Sequence, residues 1–99
     1  MAESPLKIIE KHDSELFRNV EATQTLALAD GALPTKVKLL MAMALDASHG
    51  TVEGTRSLTA QAMKAGATKE EIMEALRVTQ YISGVGAVYT AAHAFKELF

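Results

Sequence analysis

The segment Val37–Leu45 constrains the fold most, because it is apolar on nearly every side of a helix. A helix with this pattern is buried in the interior of a protein. The chain has only 99 residues, so its ratio of core to surface is poor, and oligomerisation is a common remedy. A single copy would expose apolar helix surface. The residues that carry the pattern are Val37, Leu39, Leu40, Met41, Met43, Ala44 and Leu45.

No segment of the chain has the alternating pattern of a β-strand. Ala, Leu and Met dominate the apolar residues and outnumber the β-branched ones, which favours packed helices. We predict an all-α fold of five to six helices, in which a central helical hairpin flanks residues 51–58. The length of the chain predicts a single domain over residues 1–99.

Glycine and capping residues predict where these helices begin and end. The pair Ser4–Pro5 suits a helix start, and a break is expected near Asp13. Gly31 is predicted to be the C-terminal cap of the second helix. The segment Gly84–Gly86 predicts a kink at which two helices approach closely.

A second helix start is marked by a capping box at Thr68 and Glu71. In this motif the hydroxyl and the carboxylate each accept a backbone amide that the first helical turn leaves free. The helix that begins there is predicted to carry Ile72, Leu76 and Thr79 on one face.

Charge and composition exclude several classes of function. The net charge is −2 and the basic residues alternate with acidic ones, so no nucleic-acid partner is expected. The apolar runs are much shorter than the roughly 20 residues that span a bilayer, and residues 1–11 do not resemble a secretory signal. We therefore expect a cytoplasmic protein without a membrane partner. The chain has no cysteine and no metal-ligand spacing of histidines, so neither a metal nor a cofactor is expected.

Four stretches together are similar to one known family. The segment Lys64–Leu76, which contains the capping box, and the helix-opening segment Gly31–Leu40 resemble the carboxymuconolactone decarboxylase and alkylhydroperoxidase D-like family. Tyr81–Gly86 and Ala91–Lys96 resemble the C-terminal part of the decarboxylases in particular. The resemblance implies an alkylhydroperoxidase D-like helical bundle that assembles as a homo-oligomer, a trimer or a hexamer.

The resemblance also implies reactive positions, and this chain has replaced them. Redox members carry two cysteines where this chain has Thr51 and Gly54, a histidine at Leu58 and a glutamate at Leu39. A thiolate is the nucleophile of that chemistry, so the chain cannot act as a thiol peroxidase. The decarboxylases proper also lack the cysteine pair, but they keep a histidine where this chain has Leu58. His93 lies where those enzymes have a histidine near the C-terminus.

The candidate catalytic residues are His49, Glu53, Arg56 and His93. The first three lie close to Asp46 and to the family's reactive positions, and would form a polar cluster at the mouth of a pocket. Histidine changes charge near neutral pH and suits general acid–base catalysis, and arginine binds carboxylates bidentately. The alternative is a solvated junction between two helices, with His93 packed among alanines for structural reasons.

Three functions remain open on this evidence. The first is a lyase or a small-molecule-binding protein for a carboxylated substrate, without thiol peroxidase chemistry. The second is a non-catalytic oligomeric protein whose helices serve binding and assembly. The third is a peroxidase-type oxidoreductase, for which the family label is the only ground.

Overall fold

A computed structural model describes residues 4–99, and within that range the chain is all-helical with no strand. The predicted all-α fold of five to six helices is therefore confirmed. No helix in this range is long and apolar enough to cross a membrane. The six helices are α1 (Lys7–His12), α2 (Ser14–Leu28), α3 (Thr35–Ser48), α4 (Val52–Lys64), α5 (Lys69–Ser83) and α6 (Val85–Phe95).

Helices α3 and α4 form the central hairpin, with only residues 49–51 between them. Helix α4 faces the core with small side chains at helical spacing, Thr55, Thr59 and Ala62, each fully buried. The hydroxyl of Thr55 donates to the carbonyl of Thr51, and that of Thr59 donates to the carbonyl of Thr55. Each buried hydroxyl is thus satisfied within its own helix.

The core lies among helices α3 to α6. Helices α3 and α6 each contact the other three helices of this group, and α3 packs most extensively against α4. Helices α1 and α2 contribute no buried residue, although the side chain of Leu28 packs against the edge of the core. The buried hydrophobic residues are Leu39, Met43, Ala47, Ala62, Ala67, Ile72, Leu76, Ala87, Ala91, Ala94 and Phe95.

The predicted burial of α3 is confirmed for one face only. Leu39 and Met43 lie in the core, with 4% and 0% of their surface exposed. On another face of the same helix, Met41 is 50% exposed and Leu45 is 59% exposed. In a single copy of the chain, part of the apolar surface of α3 therefore faces solvent.

The first helix begins at Lys7 and not at the predicted pair Ser4–Pro5. The hydroxyl of Ser4 accepts the amide of Leu6 at 3.2 Å, so it caps a turn that precedes the helix. The break predicted near Asp13 is confirmed. Asp13 separates α1 from α2, and its carboxylate accepts the amide of Leu16 at 3.0 Å.

The prediction that Gly31 caps the second helix is wrong. Helix α2 ends at Leu28, and Ala29 follows in an extended conformation. The hydroxyl of Thr35 donates to the carbonyl of Leu28 at 2.7 Å, and Nζ of Lys38 donates to the carbonyl of Ala29 at 2.6 Å. Side chains from α3 thus satisfy the carbonyls at the end of α2, and no glycine cap is needed.

The capping box at the start of α5 is confirmed. The hydroxyl of Thr68 accepts the amide of Glu71, and the carboxylate of Glu71 accepts the amide of Thr68 at 2.9 Å. Nζ of Lys36 also donates to that carboxylate at 3.0 Å. The bond from the Thr68 amide, followed by the bond from Lys36, lowers the pKa of Glu71. The predicted buried face is correct, because α5 buries Ile72, Leu76 and Thr79.

The predicted break between α5 and α6 is present, but it is caused by the backbone conformation of Gly84 and not by a close approach of two helices. Gly84 adopts φ 88°, a left-handed conformation that favours glycine, and it ends α5. Gly86 lies inside α6, and a Cβ atom there would meet nothing within 4 Å. The segment therefore makes a sharp turn, and neither glycine is required by a close approach of another helix.

Candidate functional site

Three of the four candidate residues meet where the first half of α4 packs against the end of α6. Glu53 and Arg56 lie one turn apart on α4, and Nη1 of Arg56 donates to Oε1 of Glu53. Nη2 of Arg56 donates to the backbone carbonyl of His93 at 3.4 Å. Residues that are 37 positions apart in the sequence are thus brought together by helix packing.

A cavity of about 460 Å³ opens beside Arg56. Its walls are formed by Val52 and Arg56 from α4 and by His93, Lys96 and Glu97 from the end of the chain. Lys96 and Glu97 were missed in the sequence, because two ordinary charges in a last helical turn carry no signal of a site. Only the packing of α4 against α6 places them beside Arg56.

The N–H groups of the Arg56 guanidinium differ in whether they have hydrogen-bond partners. Its side chain is 26% exposed, and Nε is buried without any hydrogen-bond partner. Oε2 of Glu97 lies 4.0 Å from Nε, close enough for an ion pair but too far for a hydrogen bond. Glu53 holds Nη1, so the edge formed by Nε and Nη2 has only the long bond to His93. Two N–H groups along such an edge match the two oxygens of a carboxylate.

His49 does not line this cavity. It is the residue that ends α3, and its backbone amide donates to the carbonyls of Leu45 and Asp46, both at 3.1 Å. Its side chain is exposed at the turn between α3 and α4. The structure thus brings together Glu53, Arg56 and His93, but leaves His49 at the turn.

Structural residues occupy the positions that the family resemblance links to redox chemistry. Leu39 is a core residue, and Leu58 is half-buried against the core. Thr51 precedes the first turn of α4, and Gly54 lies within that turn. A Cβ atom at Gly54 would stand 2.1 Å from Oδ2 of Asp46, so this position has no room for a side chain while Asp46 keeps its place.

Residues 4–99 contain no cluster of three or more histidine, aspartate or glutamate side chains that could hold a metal ion. The ionic groups of the cavity are two cations, Arg56 and Lys96, and the carboxylate of Glu97, with Glu53 paired to Arg56. Because the two carboxylates balance the two cations, the arrangement suits recognition of a small anion through the N–H groups of Arg56 and not through a net positive charge.

An all-α bundle built around this hairpin matches one family of known proteins. Residues 14–97 match the model of the carboxymuconolactone decarboxylase family. The fold is similar to the crystal structure of the apo form of a carboxymuconolactone decarboxylase family protein from Legionella pneumophila, with a TM-score of 0.87 and 31% sequence identity, over 92% of this chain and 81% of that chain. No curated relative matches the sequence. The chain belongs to the carboxymuconolactone decarboxylase family, and it is a member without cysteine.

Proposed function

We propose that the chain binds a small carboxylated molecule in the cavity beside Arg56. The observation that carries this proposal is the edge of the guanidinium group formed by Nε and Nη2. Nε has no hydrogen-bond partner, and Nη2 has only a bond of 3.4 Å. If the side chains that cover Nε move aside, a bidentate carboxylate would satisfy both groups with charge-assisted hydrogen bonds, which contribute about 1.5–3 kcal/mol each.

The ligand would replace a carboxylate that the chain itself supplies. Oε2 of Glu97 lies 4.0 Å from Nε of Arg56, and the side chain of Glu97 is 79% exposed, so it can move into solvent without breaking a packed contact. Lys96 adds a second positive charge to the cavity, and Val52 offers an apolar wall for the carbon skeleton of the ligand. Glu97 would thus compete with the ligand for Arg56.

His93 would supply acid–base chemistry if the bound molecule is also a substrate. A lyase that breaks a bond near a carboxylate must deliver or remove a proton, and an imidazole suits that role at neutral pH. His93 lines the same cavity as Arg56. The chain has no thiolate nucleophile, so the proposed reaction is lyase-type and not a thiol peroxidase reaction.

Binding can be tested by calorimetric titration of the purified chain with small carboxylic acids and with the corresponding neutral amides. We expect the acids to bind and the amides to fail. Arg56→Gln should weaken binding by about tenfold or more, because charge-assisted hydrogen bonds are lost. Arg18→Gln is the matched control, because Arg18 is an exposed arginine of α2 that does not line the cavity.

Glu97→Gln provides a test in the opposite direction. Removal of the competing carboxylate should tighten binding of the acids by several-fold, although the variant retains the shape of the side chain. Equal affinity for acids and amides, or an Arg56→Gln variant that binds normally, would contradict the proposed site.

Turnover is tested separately with β-keto acids and lactones. Product formation that is lost in His93→Gln, while the variant still binds the acid, would assign a lyase reaction. Binding without turnover of either substrate class would assign ligand capture. Because the two measurements use different readouts, failure of the lyase reading leaves the binding proposal intact.

A second candidate function is a non-catalytic protein that assembles from several copies of this chain, as a trimer or a hexamer. The observation that favours it is the half-exposed apolar face of α3 at Met41 and Leu45. Native mass spectrometry at micromolar concentration tests it directly. A monomer under those conditions would contradict assembly, whereas a defined oligomer that binds none of the carboxylic acids would favour assembly over ligand chemistry.

A further inference from the structure

The residues that follow α6 form part of the wall of the cavity beside Arg56. Lys96 and Glu97 both line it, and Oε2 of Glu97 lies 4.0 Å from Nε of Arg56. The same Nε atom is buried, although it has no hydrogen-bond partner. A ligand can therefore reach Nε only if part of this wall moves.

The part of the wall that can move most easily is the segment 96–99. The other residues that line the cavity belong to helices α4 and α6, which pack against each other. The segment makes a single turn, in which the amides of Leu98 and Phe99 donate to the carbonyl of Phe95 at 2.9 and 3.1 Å. A rotation of the backbone after Phe95 would break only these two backbone bonds, and such small units open more readily than packed helices.

The aromatic ring of Phe99 attaches this segment to the rest of the molecule. It stacks on the ring of Phe95, with 4.8 Å between the centroids and 15° between the planes, and Phe95 belongs to the core. Nζ of Lys69, the first residue of α5, lies 5.4 Å from the centroid of the Phe99 ring. Stacked rings and a cation above a ring both attract. Phe99 itself does not line the cavity, so it acts on the site only through the segment.

We infer that the segment 96–99 is a strap that closes the carboxylate site when no ligand is bound, and that Phe99 is the positioning residue that holds it closed. The closed strap keeps Glu97 beside Arg56, and the open strap exposes the edge formed by Nε and Nη2. Because the ligand binds only the open form, its apparent affinity is reduced to the extent that the strap is closed. This inference rests on the proposed binding of a carboxylate at Arg56, and it adds the regulation of that site.

The first test compares the wild-type chain with Phe99→Ala by calorimetric titration with hexanoate, and uses hexanamide as the neutral control. The variant keeps Glu97 and every residue of the cavity but loses the stacking on Phe95. We expect it to bind hexanoate about two- to tenfold more tightly, which corresponds to the contribution of one aromatic pair. Tyr89→Ala is the matched control, because Tyr89 is an aromatic residue of α6 that is 66% exposed and does not line the cavity. It should leave the affinity unchanged.

A second variant, Lys69→Gln, removes the cation above Phe99 and leaves the two stacked rings in place. We expect it to bind hexanoate about twofold more tightly, since a cation near an exposed ring contributes less than the stacking. The loss of a positive charge would by itself weaken the binding of an anion, so the expected change is opposite to a direct effect of charge. Lys69→Arg keeps a cation above the ring and should bind hexanoate as the wild type does.

Nuclear magnetic resonance follows the strap directly. The stacking on Phe95 shifts the ring-proton resonances of Phe99 away from those of an unstacked phenylalanine. Saturation of the wild-type chain with hexanoate should move these resonances towards the unstacked values, and the same concentration should leave them unchanged in Arg56→Gln. The methyl resonances of Ile72, which is fully buried, show in each variant whether the core is intact.

The outcomes distinguish the strap from the site on which it rests. Hexanoate that binds Phe99→Ala and the wild type equally, or Phe99 resonances that do not move at saturation, would overturn the strap and leave the carboxylate site in place. Absence of hexanoate binding in the wild type and in both variants would overturn the site and the strap together. Binding that is detected only after Phe99→Ala, and is lost when Arg56→Gln is added, would support both.

Discussion

The four C-terminal helices and the two N-terminal helices are held in the structure by different forces. Each of helices α3 to α6 buries at least three side chains in a shared core. Helices α1 and α2 bury none, although both carry apolar residues, among them Ile8, Leu16 and Leu26, which remain 57%, 46% and 83% exposed. The same kind of apolar helix is thus packed in one region and uncovered in the other.

Hydrogen bonds at the end of α2 attach the N-terminal pair to the core. Thr35 and Lys38 donate to the carbonyls of Leu28 and Ala29, and the carboxylate of Asp30 accepts the amide of Thr35 at 2.7 Å. Helix α1 also lies outside residues 14–97, the part that matches the family. We therefore expect the N-terminal pair, which is bonded to the core at one end and buries no side chain, to open locally more readily than helices α3 to α6.

Truncation of one isoleucine in each region should give the largest difference in the free energy of unfolding. Ile72→Ala removes a side chain with no exposed surface and should lower the free energy of unfolding by about 2–5 kcal/mol. Ile8→Ala should change it by less than about 0.5 kcal/mol, since Ile8 is 57% exposed. Urea unfolding monitored by circular dichroism measures both. Equal costs would mean that α1 is buried in solution, for instance by another copy of the chain.

Removal of one helix cap in each region should have a smaller effect on stability, and the effect should differ in kind between the two regions. Thr68→Ala and Asp13→Ala each remove a side chain that caps a helix, which costs about 1 kcal/mol. For Thr68 the loss should appear in global unfolding, because α5 belongs to the core. For Asp13 it should appear mainly as faster amide hydrogen exchange within α2, with little change in global stability. A global loss in Asp13→Ala would show that the N-terminal pair unfolds together with the core.

The smallest expected effect is a pH dependence of the folded state that arises from two carboxylates. Asp30 lies at the junction of α2 and α3, and Glu71 lies in the first turn of α5. The pKa of Asp30 is lowered by its bond from the Thr35 amide, and the pKa of Glu71 is lowered by the Thr68 amide and then by Lys36. Both folded-state values lie below the unfolded ones. Their stabilisation is therefore fully present above the unfolded pKa values, about 4, and is lost as the pH falls through the folded values.

Neutral variants test this pH dependence. Glu71→Gln should unfold at a lower urea concentration than the wild type at pH 7, and the difference should shrink as the pH falls below about 4. Asp30→Asn should instead increase hydrogen exchange near the junction of α2 and α3. A constant difference between Glu71→Gln and the wild type at every pH would contradict a role for the ionised carboxylate.

Local sequence patterns predicted the core helices well. The capping box at Thr68 and Glu71 and the buried face of α5 both follow from spacing within one helix, because each depends only on neighbouring turns. Periodicity also identified the apolar surface of α3, but it does not say which neighbour covers each face. The exposure of Met41 and Leu45 therefore required the structure.

Long-range contacts explain what the sequence could not predict. The end of α2 is capped by Thr35 and Lys38 from the next helix, so the local rule that selected Gly31 gave a wrong result. In the candidate site, Arg56 and His93 were chosen from residue type and family resemblance. Lys96 and Glu97 join them only because α6 packs against α4.

The close approach of Asp46 to Gly54 determines how a cysteine pair could be introduced at positions 51 and 54. Installing cysteines at positions 51 and 54 would place the second Cβ atom 2.1 Å from Oδ2 of Asp46. A double substitution would therefore have to expel the Asp46 carboxylate, whereas a triple substitution that also shortens Asp46 would not. The position of Asp46 is thus compatible with glycine at position 54, and a larger residue there requires the Asp46 carboxylate to move.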